Sequence, residues 1–259
     1  MTGRHADAPL QGIGVLVTRP REQAAGLAER LRQAGAEPVL FPALAILPPH
    51  DASALRETIA RLADFDLAIF ISPTAAQRGL AHVQTWPAGL AVAAVGKGTA
   101  AALRELGIDN VLVPEDGADS EHLLALPRLK DMAGRRVLIF RGEGGREALA
   151  EALAARGAEV GHAVCYRRGL PEGVDPAPLL ARLAAGGVHA VTAYSGETLD
   201  NLLRLLGDAG RDMLRRLPLF VPHPRIAEHA RQLGFREVVV SEGGEAQLLA
   251  ALVEYFTHD

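Results

Sequence analysis

The chain repeats itself. The segment VLVTRPREQAAGLAERLRQAGAEPVLFPAL (Val15 to Leu44) returns 122 residues later as VLIFRGEGGREALAEALAARGAEVGHAVCY (Val137 to Tyr166). Ten of the thirty positions are identical, against roughly three expected by chance in a chain so rich in Ala and Leu. Each copy places an Arg just after an apolar run (Arg19, Arg141) and a Gly-Ala-Glu after a helical pattern (Gly35, Gly157). A second pair sets FDLAIFISPTAAQRGL (Phe65 to Leu80) beside VHAVTAYSGETLDNLL (Val188 to Leu203). A third sets AVGKGTAAALRELGIDNVLV beside VPHPRIAEHARQLGFREVVV (Ala94 to Val113, Val221 to Val240). A duplicated unit of this size implies two similar lobes. Two lobes make a cleft, and the cleft is where function is to be sought.

Within each copy, short apolar or β-branched runs alternate with helical patterns, the signature of an α/β fold with mostly parallel sheets covered on both faces. Strands are predicted near 14–18, 37–41, 66–71, 91–95, 110–113, 136–140, 159–165, 189–194, 218–222 and 237–241, five per lobe. Helices between them carry apolar residues at helical spacing, such as Leu27 with Leu31 and Leu199 with Leu203. A plain tandem would cut the chain near residue 129. Two segments argue otherwise: 37–49 and 159–171 occupy the same place in the repeat, exceed the length one strand needs, and end in Pro. They read as a pair of linker strands joining the lobes. Lobe one is then 1–44 plus 168–259, and lobe two is 47–165.

Length permits this arrangement, since 259 residues with 49% hydrophobic content can fill two cores. A net charge of −4 argues against a general nucleic-acid binder, which needs a basic surface. No run reaches membrane-spanning length, and the polar start lacks the apolar stretch of a signal peptide. The expectation is a cytoplasmic protein without nucleic-acid or membrane partners, and nothing in the chain requires more than a monomer. One cysteine, Cys165, excludes an internal disulfide and a multi-cysteine metal site. The nine His residues lack HxH or HxxxH spacing, so no metal is expected.

In open parallel sheets, ligands bind outside the carboxyl ends of the strands. Here those ends are Thr18-Arg19-Pro20, Ser72-Pro73-Thr74, Gly96-Lys97-Gly98-Thr99, Arg141-Gly142-Glu143-Gly144-Gly145-Arg146, Ser195-Gly196 and Pro222-His223-Pro224-Arg225. Helix N-termini bearing Ser, Thr or Gly offer free N–H groups and a positive dipole end, suited to carboxylates or phosphates. Ser72, Thr99 and Ser195 also fit as ordinary helix caps. The run GEGGR matches neither nucleotide-loop pattern, and no nucleophile elbow is present. Cys165 reads as a buried structural thiol. Of three tyrosines, Tyr166 falls in the return linker, Tyr194 ends a strand where the companion copy has Ile71, and Tyr255 reads as helix packing.

VLVTRP, FISPTAA, AVGKGTAAAL, VLIFRGEGGREAL followed by GAEVGHAVCYRR, and VPHPRIAEHARQLGF resemble, in order and spacing, the uroporphyrinogen-III synthase family from about Gly14 to Phe256. The resemblance implies two five-stranded, flavodoxin-like lobes joined by a two-stranded linker, with neither metal nor organic cofactor. It implies hydroxymethylbilane, a linear tetrapyrrole with eight carboxylates, as substrate. The implied reaction is a dehydrating cyclisation with inversion of ring D through a spiro intermediate. Tyr166 matches the family's Tyr after its GAEV strand and becomes the expected catalytic residue. Arg19, Ser72, Lys97, Thr99, Arg141, Gly142, Arg146, Ser195, Gly196 and Arg225 become the expected substrate-binding set. Tyr194 and His223 depart from the residues common in the family at those places. Two rival readings share the fold class: a two-lobed cytoplasmic binding protein for a small anion, and an α/β transferase using GEGGR. Incubation with hydroxymethylbilane, followed by identification of the porphyrin isomer formed, separates the three.

Overall fold

A computed structural model describes residues 8–117, 119–145 and 147–258. The chain divides into two compact units: unit 1 holds the residues up to Ala45 and those from Gly169 onward, and unit 2 runs from Ile46 to Arg168.

Unit 1 is built on a five-stranded parallel sheet. Its strands are β1 (Gly14–Val17), β2 (Glu37–Leu40), β9 (Ala190–Thr192), β10 (Leu219–Val221) and β11 (Val238–Val240), in the order β11-β10-β9-β1-β2. Successive side chains of a strand point to opposite faces, and the core divides accordingly. Leu16 and Val191 pack with the helix α8 (Gly196–Leu214) through Leu199, Leu202 and Leu203. Val15, Val17 and Ala190 pack on the other face with Leu27 and Leu31 of α1 (Arg21–Gln33) and with Leu248 and Leu252 of α10 (Glu245–Thr257). α9 (Pro224–Gln232) adds Ile226 and Ala227 to the α8 face.

Unit 2 has the same plan. Its sheet runs β3 (Ala45–Leu47), β8 (Glu159–Gly169), β7 (Arg136–Gly142), β4 (Leu67–Phe70), β5 (Ala91–Ala94) and β6 (Val111–Leu112) in spatial order. Ala68, Phe70, Leu138 and Phe140 face α3 (Pro73–Leu80) and α4 (Lys97–Glu105), where the Phe70 and Phe140 rings stack with centroids 4.3 Å apart. Leu67, Ile69, Val137 and Ile139 face α5 (Ser120–Leu124) and α6 (Ala148–Ala155).

Five strands per lobe is corrected to five and six. The sixth is Ala45–Leu47, a three-residue strand that lies beside β8 and covers part of its outer edge. Pro48 and Pro49 stop it, since neither supplies an N–H for further pairing. The segment 37–49 is therefore not one strand: Phe41 to Leu44 separate β2 in the first sheet from β3 in the second.

In each sheet the direction of strand succession reverses once, between β1 and β9 and between β7 and β4. The helices that follow these neighbouring strands leave to opposite faces, opening a crevice at their carboxyl ends. Among the described residues no helix is long and apolar enough to cross a membrane.

Candidate active site

The expected site residues fall into two sets, one at the strand ends of each unit. In unit 2, Phe70 and Phe140 are register partners, and the chain turns just beyond them. Ser72 takes an extended conformation and caps α3, its Oγ accepting the Ala75 N–H at 3.0 Å, with Pro73 in the first helical position. A Ser cap followed by Pro satisfies one orphan donor and removes another. The Ser72 hydroxyl also lies 3.3 Å from the hydroxyl of Tyr166.

Tyr166 owes its place to a β-bulge. The β7–β8 ladder pairs Arg141 with Val164 and then Gly142 with Tyr166, so Cys165 is the extra residue. Regular alternation would send Cys165 and Tyr166 to opposite faces. The bulge breaks that alternation, and both pack in the core beneath α3. Gly142 makes room for the ring: a Cβ there would stand 2.7 Å from Cζ of Tyr166. The ring is 8% exposed. Cys165, 2% exposed, has its thiol pushed up to about 12 by burial and donates to the carbonyl of Ala163 at 3.1 Å. A thiol so buried stays protonated and is not a nucleophile at neutral pH.

The loop after β7 is tied to the same place. The Glu143 N–H donates to the carbonyl of Tyr166 at 2.8 Å. Its carboxylate accepts the His50 N–H at 2.7 Å and meets Nδ1 of that ring at 2.7 Å, contacts that hold the Glu143 carboxyl below the usual range. Arg141 is 5% exposed, and its Nη1 donates to Glu147 at 2.7 Å. Gly145 lies against the guanidinium, where a Cβ would come within 2.6 Å of Nη2. His162 completes the group, its Nε2 3.7 Å from Glu147. Burial and the positive charge of Arg141 push its pKa down, with Glu147 opposing.

Of the other residues expected in this lobe, Lys97 is exposed in the first turn of α4. Thr99 is corrected as a cap: Gly96 holds that position, and Thr99 lies in the third helical position, 3% exposed. The apolar run AAAL pulls this turn inward, so its hydroxyl is buried with the helix. Arg146 lies outside the described residues.

In unit 1, β1 and β9 are stitched by their threonines: Thr18 Oγ1 donates to the Thr192 carbonyl at 2.7 Å, and Thr192 Oγ1 to the Leu16 carbonyl at 2.9 Å. Arg19 sits over the ring of Tyr194, 4.3 Å from its centroid, and Nη1 donates to Glu245 at 2.5 Å. Burial pushes the Tyr194 phenol up to about 12. Ser195 caps α8, accepting the Thr198 N–H at 3.1 Å, with its hydroxyl 2.8 Å from that of Thr198. Gly196 opens that helix against His229, whose Nε2 meets Asp200 at 2.9 Å. Arg225 is exposed in the first turn of α9.

The structure thus brings Ser72, Gly142 and Tyr166 into direct contact and sets Arg141 one residue away. Sequence reasoning missed Glu147, His162, His50 and Glu245. His162 is brought there by register, pairing with Ile139 two residues before Arg141, which no local composition marks. Among the described residues, no three His, Cys, Asp or Glu side chains converge as metal ligands would.

Comparison with known proteins gives the family. A model of uroporphyrinogen-III synthase HemD matches residues 25–251. The uroporphyrinogen-III synthase of Salmonella typhimurium is 35% identical over 242 residues, covering 92% of this chain and 98% of that one. That of Escherichia coli is 36% identical over 243 residues, with the same coverage. A crystal structure of mutant uroporphyrinogen III synthase from Thermus thermophilus shares the fold. Its TM-score is 0.59 at 22% identity, over 95% of this chain and 100% of that one. The chain belongs to the uroporphyrinogen-III synthase family.

Proposed function

We propose that this protein carries out the reaction its relatives are named for, closing hydroxymethylbilane to uroporphyrinogen III with loss of one water and inversion of ring D. The observation that carries the chemical step is the Tyr166 phenol, 3.3 Å from the Ser72 hydroxyl at the carboxyl ends of β4 and β7. The reaction asks little of acids and bases. The C–O bond of the hydroxymethyl group breaks, its electron pair leaves with oxygen, and a proton from Tyr166 completes the departing water. The azafulvene cation left behind is attacked by the substituted carbon of ring D, which gives the spiro intermediate. Fragmentation and reclosure invert that ring, and the proton lost on rearomatisation restores the phenol.

Selectivity rests on holding the reacting rings so that the substituted carbon, not its unsubstituted competitor, meets the cation. Well-oriented geometry is worth roughly 7–11 kcal/mol, while one proton donor adds a factor on the order of 100 to 10,000. Carboxylates of the substrate find N–H groups and dipole ends at the starts of α3 and α4 in unit 2, with Ser72, Lys97, Thr99, Gly142 and Arg141 nearby. Ser195, Gly196 and Arg225 offer the same at α8 and α9 in unit 1. Arg19 is engaged by Glu245 and would have to leave that pair to bind. Arg146 belongs to the same proposed set. The reading is of a cytoplasmic monomer without nucleic-acid or membrane partners, supported by the net charge of −4.

Tyr166→Phe keeps the ring and removes the hydroxyl. Proton donation predicts at least a tenfold fall in kcat, about 1.4 kcal/mol in the barrier. A near-normal rate with the rearranged isomer as product would return Tyr166 to packing and make Tyr194 the next candidate.

A further inference from the structure

The duplication places an arginine at the reversal point of each sheet, and the two have different surroundings. In unit 1, Arg19 stacks on Tyr194 and pairs with Glu245 from the first turn of α10, its side chain 21% exposed. In unit 2 the repeat puts Ile71 where unit 1 has Tyr194. The helix after the last strand is α5 instead of α10. Its capping carboxylate, Asp119, is turned onto its own helix, accepting the His122 N–H at 2.9 Å and meeting that ring at 2.8 Å. The surroundings of Arg141 therefore differ from those of Arg19. A cavity of about 530 Å³ lies there, between Ile71, Val95, Ile139 and Leu149 on its apolar walls, with Arg141 at its polar end.

The contents of this cavity point to a ligand class. Cavities of a few hundred Å³ with apolar walls and few polar groups are the usual form of small-molecule sites. Arg141 brings a planar fork of five donors, which matches a carboxylate bidentately. Its one carboxylate partner among the described residues is Glu147, whose side chain is 55% exposed. A buried guanidinium held by a mostly solvated carboxylate can exchange it for a ligand carboxylate at small cost, because Glu147 returns to water. Asp119 and Glu121 also line the cavity. They disfavour a bare anion and accept N–H donors, so the fitting ligand has a carboxylate arm and an N–H on a flat apolar ring.

We propose that this cavity binds one carboxylate-bearing pyrrole ring of the substrate, its carboxylate taken by Arg141 in place of Glu147. The proposal rests on the functional reading above and deepens it. Ile71 and Arg141 line the cavity, while Ser72 and Gly142, the next residues in the chain, meet Tyr166. The cavity lies on the α5–α6 face of the sheet and Tyr166 on the α3 face, so a linear tetrapyrrole anchored by one ring in the cavity crosses the carboxyl ends of β4 and β7 to bring another ring to the Tyr166 hydroxyl. Arg141 is thereby a binding and positioning residue for the ring order the reaction needs, and Arg19 is its structural duplicate.

Three variants of the full chain test this, each checked by melting temperature. Binding of pyrrole-3-propionate is measured by calorimetry, and KM and kcat with hydroxymethylbilane. Glu147→Gln removes the competing carboxylate and should tighten the probe at least threefold, a direction no packing role produces. Arg141→Gln should weaken it at least tenfold, and Ile71→Tyr, which restores the ring of unit 1, should weaken it as much while raising KM more than it lowers kcat. Should Arg141→Gln not fold, the other two decide. Unchanged or weaker probe binding in Glu147→Gln, or wild-type probe binding in folded Ile71→Tyr, overturns the subsite. If those results occur while the wild type makes the rearranged isomer, the subsite fails and the functional reading stands. If the wild type makes no rearranged isomer yet binds the probe through Arg141, the functional reading fails and the cavity remains a pyrrole-carboxylate site.

Discussion

At Gly142 the absence of a side chain has a direct consequence. The Tyr166 ring occupies the space a Cβ would take, 2.7 Å from Cζ and 3.1 Å from the hydroxyl oxygen. Gly142→Ala should therefore push the ring off Ser72. Forcing a methyl into a packed site costs roughly 1–3 kcal/mol, so the melting temperature should fall, and kcat should fall at least as far as in Tyr166→Phe. Unaltered kcat in a folded Gly142→Ala variant would detach the ring position from the chemistry. His162 gives a second test. Burial first, and then Arg141, hold its folded pKa below the ordinary value of about 6.5. The unfolded chain thus takes up this proton at higher pH than the folded one does. Stability is unaffected well above pH 6.5, falls as pH drops through that value, and levels off only below the folded pKa. His162→Gln should flatten the loss of melting temperature between pH 7 and 5; an identical slope in both proteins would remove His162 as a source.

At the scale of elements, the strands were legible because their apolar runs and the repeat agree. All ten predicted strands lie where β1, β2 and β4 to β11 form. Two features were not. Ala45–Leu47 reads as the end of one linker strand, 37–49, beside 159–171; the break at Phe41 to Leu44, which makes it a separate strand of the second sheet, carries no periodicity that separates strand from loop. Ala45–Leu47 is a strand because β8 presents an edge to it. The bulge at Cys165 was also hidden, because a bulge depends on the register of two strands and no local composition marks it. That is why the sequence singles out Tyr166 but not its orientation: plain alternation sets it opposite Cys165, and the bulge puts both in one core. The caps were partly readable. Ser72 and Ser195 cap α3 and α8, but the same small-residue signal at Thr99 belongs to a buried position, its cap being Gly96. Ser195→Ala removes the oxygen that accepts the Thr198 N–H and should cost about 1 kcal/mol of stability. Turnover should fall only several-fold, since carboxylate capture is shared among many donors. Complete loss of activity in a folded Ser195→Ala protein would contradict shared capture.

For the whole molecule, chain order and spatial order disagree, and the disagreement decides which fragments can fold. A cut at the tandem boundary near residue 129 leaves β1 and β2 without β9, and β4 to β6 without β7. Yet β7 pairs with β4 along all of β4, from Leu67–Val137 to Phe70–Phe140, and Phe140 stacks on Phe70 in the core of unit 2. A fragment of residues 1–129 therefore lacks the central strand of both sheets it contains and exposes the apolar faces of Ala68, Phe70, Val15 and Val17. It should be unfolded or aggregated. Residues 46–168 hold β4 to β7 with both covering layers and all but one residue each of β3 and β8. At this length a single α/β core is large enough to stand alone, so this fragment should be soluble and melt in one cooperative transition by circular dichroism. Cooperative melting of 1–129, with 46–168 remaining unfolded, would restore the tandem division and sink the discontinuous one.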